Sequence, residues 1–173
     1  MRRLLSAWLL LMLVLVVAAC SGQDSSGTVT PRAVSDRTAA AAFTLPNLRE
    51  GKDDISLVDY RGRPLLINFW AHWCGPCVEE MPALAEFARE HPDIAVLGIA
   101  ASGDPAADRD FAESTGVGFD LASDRSGDIL GHYGISGLPG TVLVDRQGRV
   151  VNTIFGPLTS ADLAQLATTL RSS

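Results

Sequence analysis

Two runs that are apolar but for Asn68, "LLINFWA" (Leu65–Ala71) and "IAVLGIA" (Ile94–Ala100), constrain this chain more than any other feature. A half-buried strand alternates apolar and polar residues, whereas a run that is apolar at nearly every position fits a central strand covered on both faces. Between the runs, Pro76 to about His91 reads as a helix, so the segment forms a β-α-β unit with parallel strands. At 173 residues the chain can bury one ordinary core, and two would be a squeeze.

The remaining elements follow from their punctuation. "FTLPNL" and "ISLVDY" read as two short edge segments, closed by the turn signal Arg61-Gly62-Arg63-Pro64. Asp104 before Pro105 marks a helix start and Gly116 its end, which predicts a second helix over Pro105 to Thr115. "FDLASD" and a short helical piece around Asp128 to Tyr133 follow. "GLPGTVLVDRQGRVVNTIF" then reads as an antiparallel strand pair turning at Arg146-Gln147-Gly148. A last helix opens at Thr159, with Asp162 three residues on, and lines up Leu163, Leu166, Ala167 and Leu170. The expected fold class is α/β: a mixed central sheet flanked by helices on both faces, with an N-terminal β extension.

The N-terminus carries a different message. Arg2 and Arg3 precede an apolar run from Leu4 to Ala19, the pattern of a signal peptide, and sixteen residues are short of the about 20 a membrane-spanning helix needs. The ending Val17-Ala18-Ala19-Cys20 resembles the lipobox of bacterial lipoproteins, in which the cysteine is lipidated and becomes the mature N-terminus. The alternatives are an uncleaved anchor, or an ordinary secretory cut near Ala19 that leaves Cys20 as a free thiol. From Ser21 to Ala42 small and polar residues dominate, a composition that cannot bury a face and reads as a flexible tether spanning roughly 25 Å. The expected organisation is a signal at 1–19, a lipidated cysteine and tether at 20–42, and a globular domain at 43–173. Past residue 19, twelve basic residues face twenty acidic ones, a balance unsuited to gripping nucleic acid.

Cys74 and Cys77, in "NFWAHWCGPC", are the other two of three cysteines. A structural zinc site takes four ligands, usually as two close pairs; no second pair exists, and His72, His91 and His132 are scattered. A structural disulfide across two residues would remove little unfolded-state entropy. Pro76 sits where a helix would start, which puts Cys74 near the N-cap, where free amide N–H groups and the positive end of the helix dipole favour a thiolate. Cys77 falls one turn inside. This asymmetry suits a nucleophile and a resolving thiol. Glu80 shares a stripe with Cys77, Leu84 and Phe87, so a carboxylate stands one turn from the resolving thiol, either partly desolvated and able to relay a proton or reaching solvent at the rim.

"FWAHWCGPC" after a strand, with "GLPGT" some sixty residues later before another, closely resembles the thioredoxin superfamily. "GRPLLINFWAHWCGPCVEEMP" is most similar to its TlpA/ResA-like branch of membrane-tethered thiol–disulfide oxidoreductases. The resemblance runs from Phe43 to the C-terminus. It implies a thioredoxin fold in which Cys74 attacks and Cys77 resolves, Glu80 is functional, and Pro139 is a cis-proline beside the disulfide. Trp73, Gly75, Pro76, Leu138 and Pro139 would meet the substrate, with Leu138 presenting its backbone to an extended segment. Where thioredoxin has a buried aspartate this chain has Asn68, which favours Glu80 as the proton carrier. His72 is unfamiliar in its place and reads as an exposed bystander rather than a cation for the Cys74 thiolate. Trp70 and Trp73 read as core and rim packing, Trp73 also shielding the sulfur, and Pro82 as a kink.

The function expected is an extracytoplasmic protein disulfide reductase, anchored to the bacterial membrane through Cys20 and needing no cofactor. Its partners would be protein thiols and disulfides, apocytochrome c among them, and a membrane electron donor of the CcdA/DsbD kind. A disulfide-forming oxidase is the alternative direction. A thiol peroxidase would want a Pro-x-x-x-Thr-x-x-Cys pattern that the residues ahead of Cys74 do not supply, and a Cu(I)-handling module would use the dithiol as a soft ligand pair. "GVGFDL" at Gly116 lacks the third glycine of a dinucleotide fingerprint.

Overall fold

The computed structural model describes residues 37–173, so the signal segment, Cys20 and most of the tether lie outside the described residues. In chain order the elements are β1 (Thr44–Leu45), β2 (Ile55–Ser56), a 3-10 turn (Leu57–Tyr60), β3 (Leu65–Trp70), α1 (Gly75–Glu90), β4 (Ala95–Ala100), α2 (Pro105–Thr115) and β5 (Asp120–Ser123). They continue with α3 (Asp128–His132), β6 (Gly140–Val144), β7 (Val150–Phe155) and α4 (Ser160–Arg171). The main sheet runs β5-β4-β3-β6-β7, and β1 and β2 form a separate antiparallel pair.

The two apolar runs become β3 and β4, parallel in the middle of the sheet, with Leu65 opposite Ala95 and Trp70 opposite Ala100. Every residue of both strands is buried, as their composition requires. Leu66, Trp70, Val96, Leu121 and Leu143 pack against Met81, Leu84 and Phe87 of α1, Ala112 of α2, and Leu163, Leu166 and Leu170 of α4. On the opposite face Leu65, Ile67, Phe69, Leu97, Ile99 and Val142 meet Phe43, Ile55, Tyr60 and Ile135, with Ile129 and Leu130 of the short α3 against them. Helices thus lie on both faces, the three long ones together on one.

The helix ends obey the local chemistry. Asp104 caps α2 by accepting from the Ala107 amide, and Gly116 closes it in the left-handed region at φ 63°. Thr159 and Asp162 form the reciprocal cap of α4. Asp145, buried at the β6–β7 turn, accepts from the Gln147 and Arg149 amides at 3.0 and 2.8 Å.

One expectation is corrected. Residues ahead of Phe43 pair with the body rather than belonging to a free tether: Ala39 bridges Arg149, Ala40 N–H donates to the Gly148 carbonyl, and Arg37 reaches Asp145 at 3.4 Å. Backbone pairing against the turn needs no large side chain, so an alanine-rich stretch can end the tether early. Pro82 lies inside α1, which runs from Gly75 to Glu90. Among the described residues no helix is long and apolar enough to cross a membrane.

Gly98, in the middle of β4, leaves room for the side chains of Trp70, Phe119 and Leu121. A Cβ there would lie 2.8 Å from Leu121 Cδ2, 3.0 Å from Trp70 Nε1 and 3.1 Å from Phe119 Cε2. Gly98→Ala is predicted to destabilise the protein by about 1–3 kcal/mol, the range for overpacking a filled core, as read from urea denaturation.

Candidate active site

The site is built where β3 ends. After Trp70 the chain makes one turn, closed by Cys74 N–H donating to the Ala71 carbonyl at 3.1 Å, and α1 begins at Gly75. Cys74 is the N-cap, with Pro76 in the first turn, and its sulfur accepts the Cys77 amide N–H at 3.3 Å. Cys74 and Cys77 form a disulfide with Cα atoms 5.2 Å apart. Cys74 is 5% exposed and Cys77 1%, so both residues are buried and Cys74 is the slightly more accessible of the two. On reduction, the same amide donors and the helix dipole would favour a Cys74 thiolate.

One turn further along α1, Glu80 is only 3% exposed. It is therefore a buried carboxylate and not a solvent-reaching side chain at the rim. Asn68 Nδ2 donates to its Oε1 at 2.8 Å, and the Leu158 amide N–H donates to its Oε2 at 2.8 Å. Burial pushes the Glu80 carboxyl above its usual range, and the two hydrogen bonds offset part of that rise by stabilising the charged form. Asn68 Nδ2 also donates to Thr141 Oγ1 at 3.2 Å. The residue standing in place of thioredoxin's aspartate thus makes a direct hydrogen bond to Glu80. Asn68, Thr141 and the Leu158 amide were not legible as one group, because β3, β6 and the loop before α4 bring them together only in three dimensions.

Pro139 follows a cis Leu138–Pro139 bond, as the resemblance implied. Phe69 pairs with Gly140, which brings the start of β6 beside the end of β3 and so Pro139 to the same edge of the sheet as the disulfide. The Pro139 carbonyl accepts from Gly156 N–H at 3.0 Å; Leu138 makes no backbone hydrogen bond among the described residues.

His72 is not an exposed bystander. Its ring Nδ1 lies 2.9 Å from Asp108 Oδ1, and its amide N–H donates to the same oxygen at 3.2 Å. Asp108, fully buried on α2, also accepts from Ser102 Oγ, so one carboxylate ties α2 and the end of β4 to the turn before Cys74. Trp70 is buried as expected, and Trp73, next to Cys74, is 62% exposed. Phe155, opposite Gly140 at the end of β7, is 63% exposed, an apolar residue the sequence did not single out as surface. Among the described residues no group of His, Cys, Asp and Glu could hold a metal ion.

Residues 37–153 match the model of the AhpC/TSA family. The chain belongs to the AhpC/TSA family. It is 36% identical to the thiol-disulfide oxidoreductase ResA of Geobacillus thermodenitrificans over 138 residues, 77% of this chain and 76% of that protein. Among solved structures it resembles the exposed lipoprotein thioredoxin of Streptococcus pneumoniae strain TIGR4, with a TM-score of 0.66 and 28% identity over 75% of this chain and all of the other. StoA from Bacillus subtilis matches with a TM-score of 0.63 and 25% identity over 75% of this chain and 96% of the other. The fold is thioredoxin-like, and the enzyme class is that of the thiol-disulfide oxidoreductases.

A carboxyl held above its ordinary range binds a proton in the folded state at pH values where the unfolded chain has already lost it. Burial of Glu80 therefore costs stability at neutral pH, and the cost fades as pH falls through the raised folded value towards the ordinary 4.5. Glu80→Gln is predicted to raise the Tm of the oxidised protein at pH 8 and to leave it unchanged near pH 4, as followed by circular dichroism.

Proposed function

We propose that this protein is an extracytoplasmic protein disulfide reductase working through the Cys74–Cys77 dithiol. The observation that carries this reading is the redox pair at the mouth of α1 with a buried carboxylate one turn behind it. Cys74, as thiolate, attacks one sulfur of a client disulfide and the client's other sulfur leaves as a thiolate. Cys77 gives its proton to Glu80 and attacks the Cys74 sulfur, releasing the second client thiol. Two electrons pass to the client, and the enzyme is left as the disulfide. Leu138 and Pro139 line the edge where an extended client segment would add, with Leu138 backbone groups free to pair and Trp73, Gly75 and Pro76 alongside.

The anchored setting belongs to the same proposal: a signal at 1–19, lipidation at Cys20, and a tether that ends near Arg37. The likeness to a solved structure named an exposed lipoprotein supports it. A membrane donor of the CcdA/DsbD kind would re-reduce the pair, and protein disulfides, those of apocytochrome c among them, are the clients the family resemblance implies. A thiol peroxidase is disfavoured, because Ile67 and Ala71 stand where the peroxidatic pattern puts Pro and Thr.

With a disulfide-bonded protein substrate, Cys77→Ser is predicted to accumulate a mixed disulfide through Cys74, visible by non-reducing gel electrophoresis, and Cys74→Ser to abolish turnover. Glu80→Gln is predicted to slow turnover about a hundredfold at neutral pH, the scale of a lost general base. Peroxide consumption as fast as disulfide reduction would refute the reading.

A further inference from the structure

The buried group around Glu80 holds an asymmetry that the mechanism above does not use. Both carboxylate oxygens face donors, Asn68 Nδ2 at Oε1 and the Leu158 amide at Oε2. This satisfies an ionised Glu80. A protonated Glu80 is a donor at one oxygen, and a hydroxyl aimed at an N–H is a lost hydrogen bond in a site with no water-exposed alternative. The Leu158 N–H belongs to the backbone and cannot become an acceptor. Asn68 can, because its amide carries a donor and an acceptor on one rotor, and its Oδ1 is buried without a partner among the described residues. Thr141 Oγ1, the other partner of Nδ2, accepts or donates by turning its hydroxyl.

We propose that Asn68 is a positioning residue for the Glu80 proton: its side-chain amide inverts when Glu80 is protonated at Oε1. With Glu80 ionised, the two Nδ2 hydrogens go to Glu80 Oε1 and Thr141 Oγ1. With Glu80 protonated, Oδ1 takes that place and accepts from the Glu80 hydroxyl and the Thr141 hydroxyl, while Nδ2 moves to the position where Oδ1 stood without a partner. One proton is added at Oε1, no bond to Leu158 is given up, and the loop before α4 stays in place in both states. An aspartate at this position would instead put a second titrating carboxylate against the first. Among the described residues the groups hydrogen-bonded to Glu80 come from β3 and the loop before α4, with β6 one bond away, and none is charged.

This inference rests on the reading of Glu80 as the proton carrier, but its test needs no turnover. In the full-length, disulfide-bonded protein labelled with carbon-13 and nitrogen-15, the Glu80 carboxyl carbon and the Asn68 side-chain Cγ and NH2 resonances are followed against pH. Inversion predicts that the Asn68 signals move by a large step with the Glu80 midpoint, while the Leu158 amide stays hydrogen-bonded on both sides of it. Asn68 signals that stay flat through the Glu80 titration, or a Leu158 amide that loses its bond instead, would overturn the proposal. In Asn68→Leu, which keeps the shape and removes the rotor, Glu80 is predicted to bind its proton about five- to tenfold more tightly, because the charged form loses the stronger hydrogen bond. An unchanged Glu80 midpoint in that variant would also overturn it. Should Glu80→Gln turn over normally while the Asn68 signals follow Glu80, the relay reading fails and the inversion stands.

Discussion

The structure depends on one junction, the step from a strand buried on both faces to the exposed first turn of a helix. β3 is paired with β4 on one side and β6 on the other, and both its faces are covered. A strand held that firmly fixes where the chain leaves the sheet, and four residues later Cys74 caps α1. The redox pair is thus placed by a strand that is buried at every position, and both cysteines are themselves buried beneath an exposed first helical turn. The pairing of Phe69 with Gly140 brings Pro139 to the same edge, so the disulfide and the cis-proline share one scaffold.

Behind the disulfide the protein keeps polar groups in a layer that could have been apolar. Asn68, Glu80 and Thr141 are all buried, and burying a carboxylate is costly unless its charge is hydrogen-bonded. Two donors at 2.8 Å provide that compensation for Glu80 without neutralising it as an ion pair would. Burial leaves this carboxyl above its usual range, and the two neutral donors offset part of that rise. A second buried carboxylate, Asp108, acts on the other flank, where it pins the His72 turn to α2 and β4.

Much of this was legible in the sequence for local reasons. Apolar runs gave β3 and β4, capping residues gave the ends of α2 and α4, and helical spacing put Cys77, Glu80, Leu84 and Phe87 on one buried stripe. What stayed hidden is non-local. Nothing near His72 in sequence announces Asp108, thirty-six residues on, and nothing near Glu80 announces the Leu158 amide, seventy-eight residues away. The pairing at Ala39 and Ala40 was missed because backbone hydrogen bonds between small residues leave no hydrophobic trace.

The equilibrium reduction potential of Cys74–Cys77 at pH 7, titrated with dithiothreitol, tests the central claim most directly. A strong reductant supplied by a membrane donor should lie at about −270 mV or lower, the range of thioredoxin. A value near −120 mV would contradict the account and make the protein an oxidase that introduces disulfides.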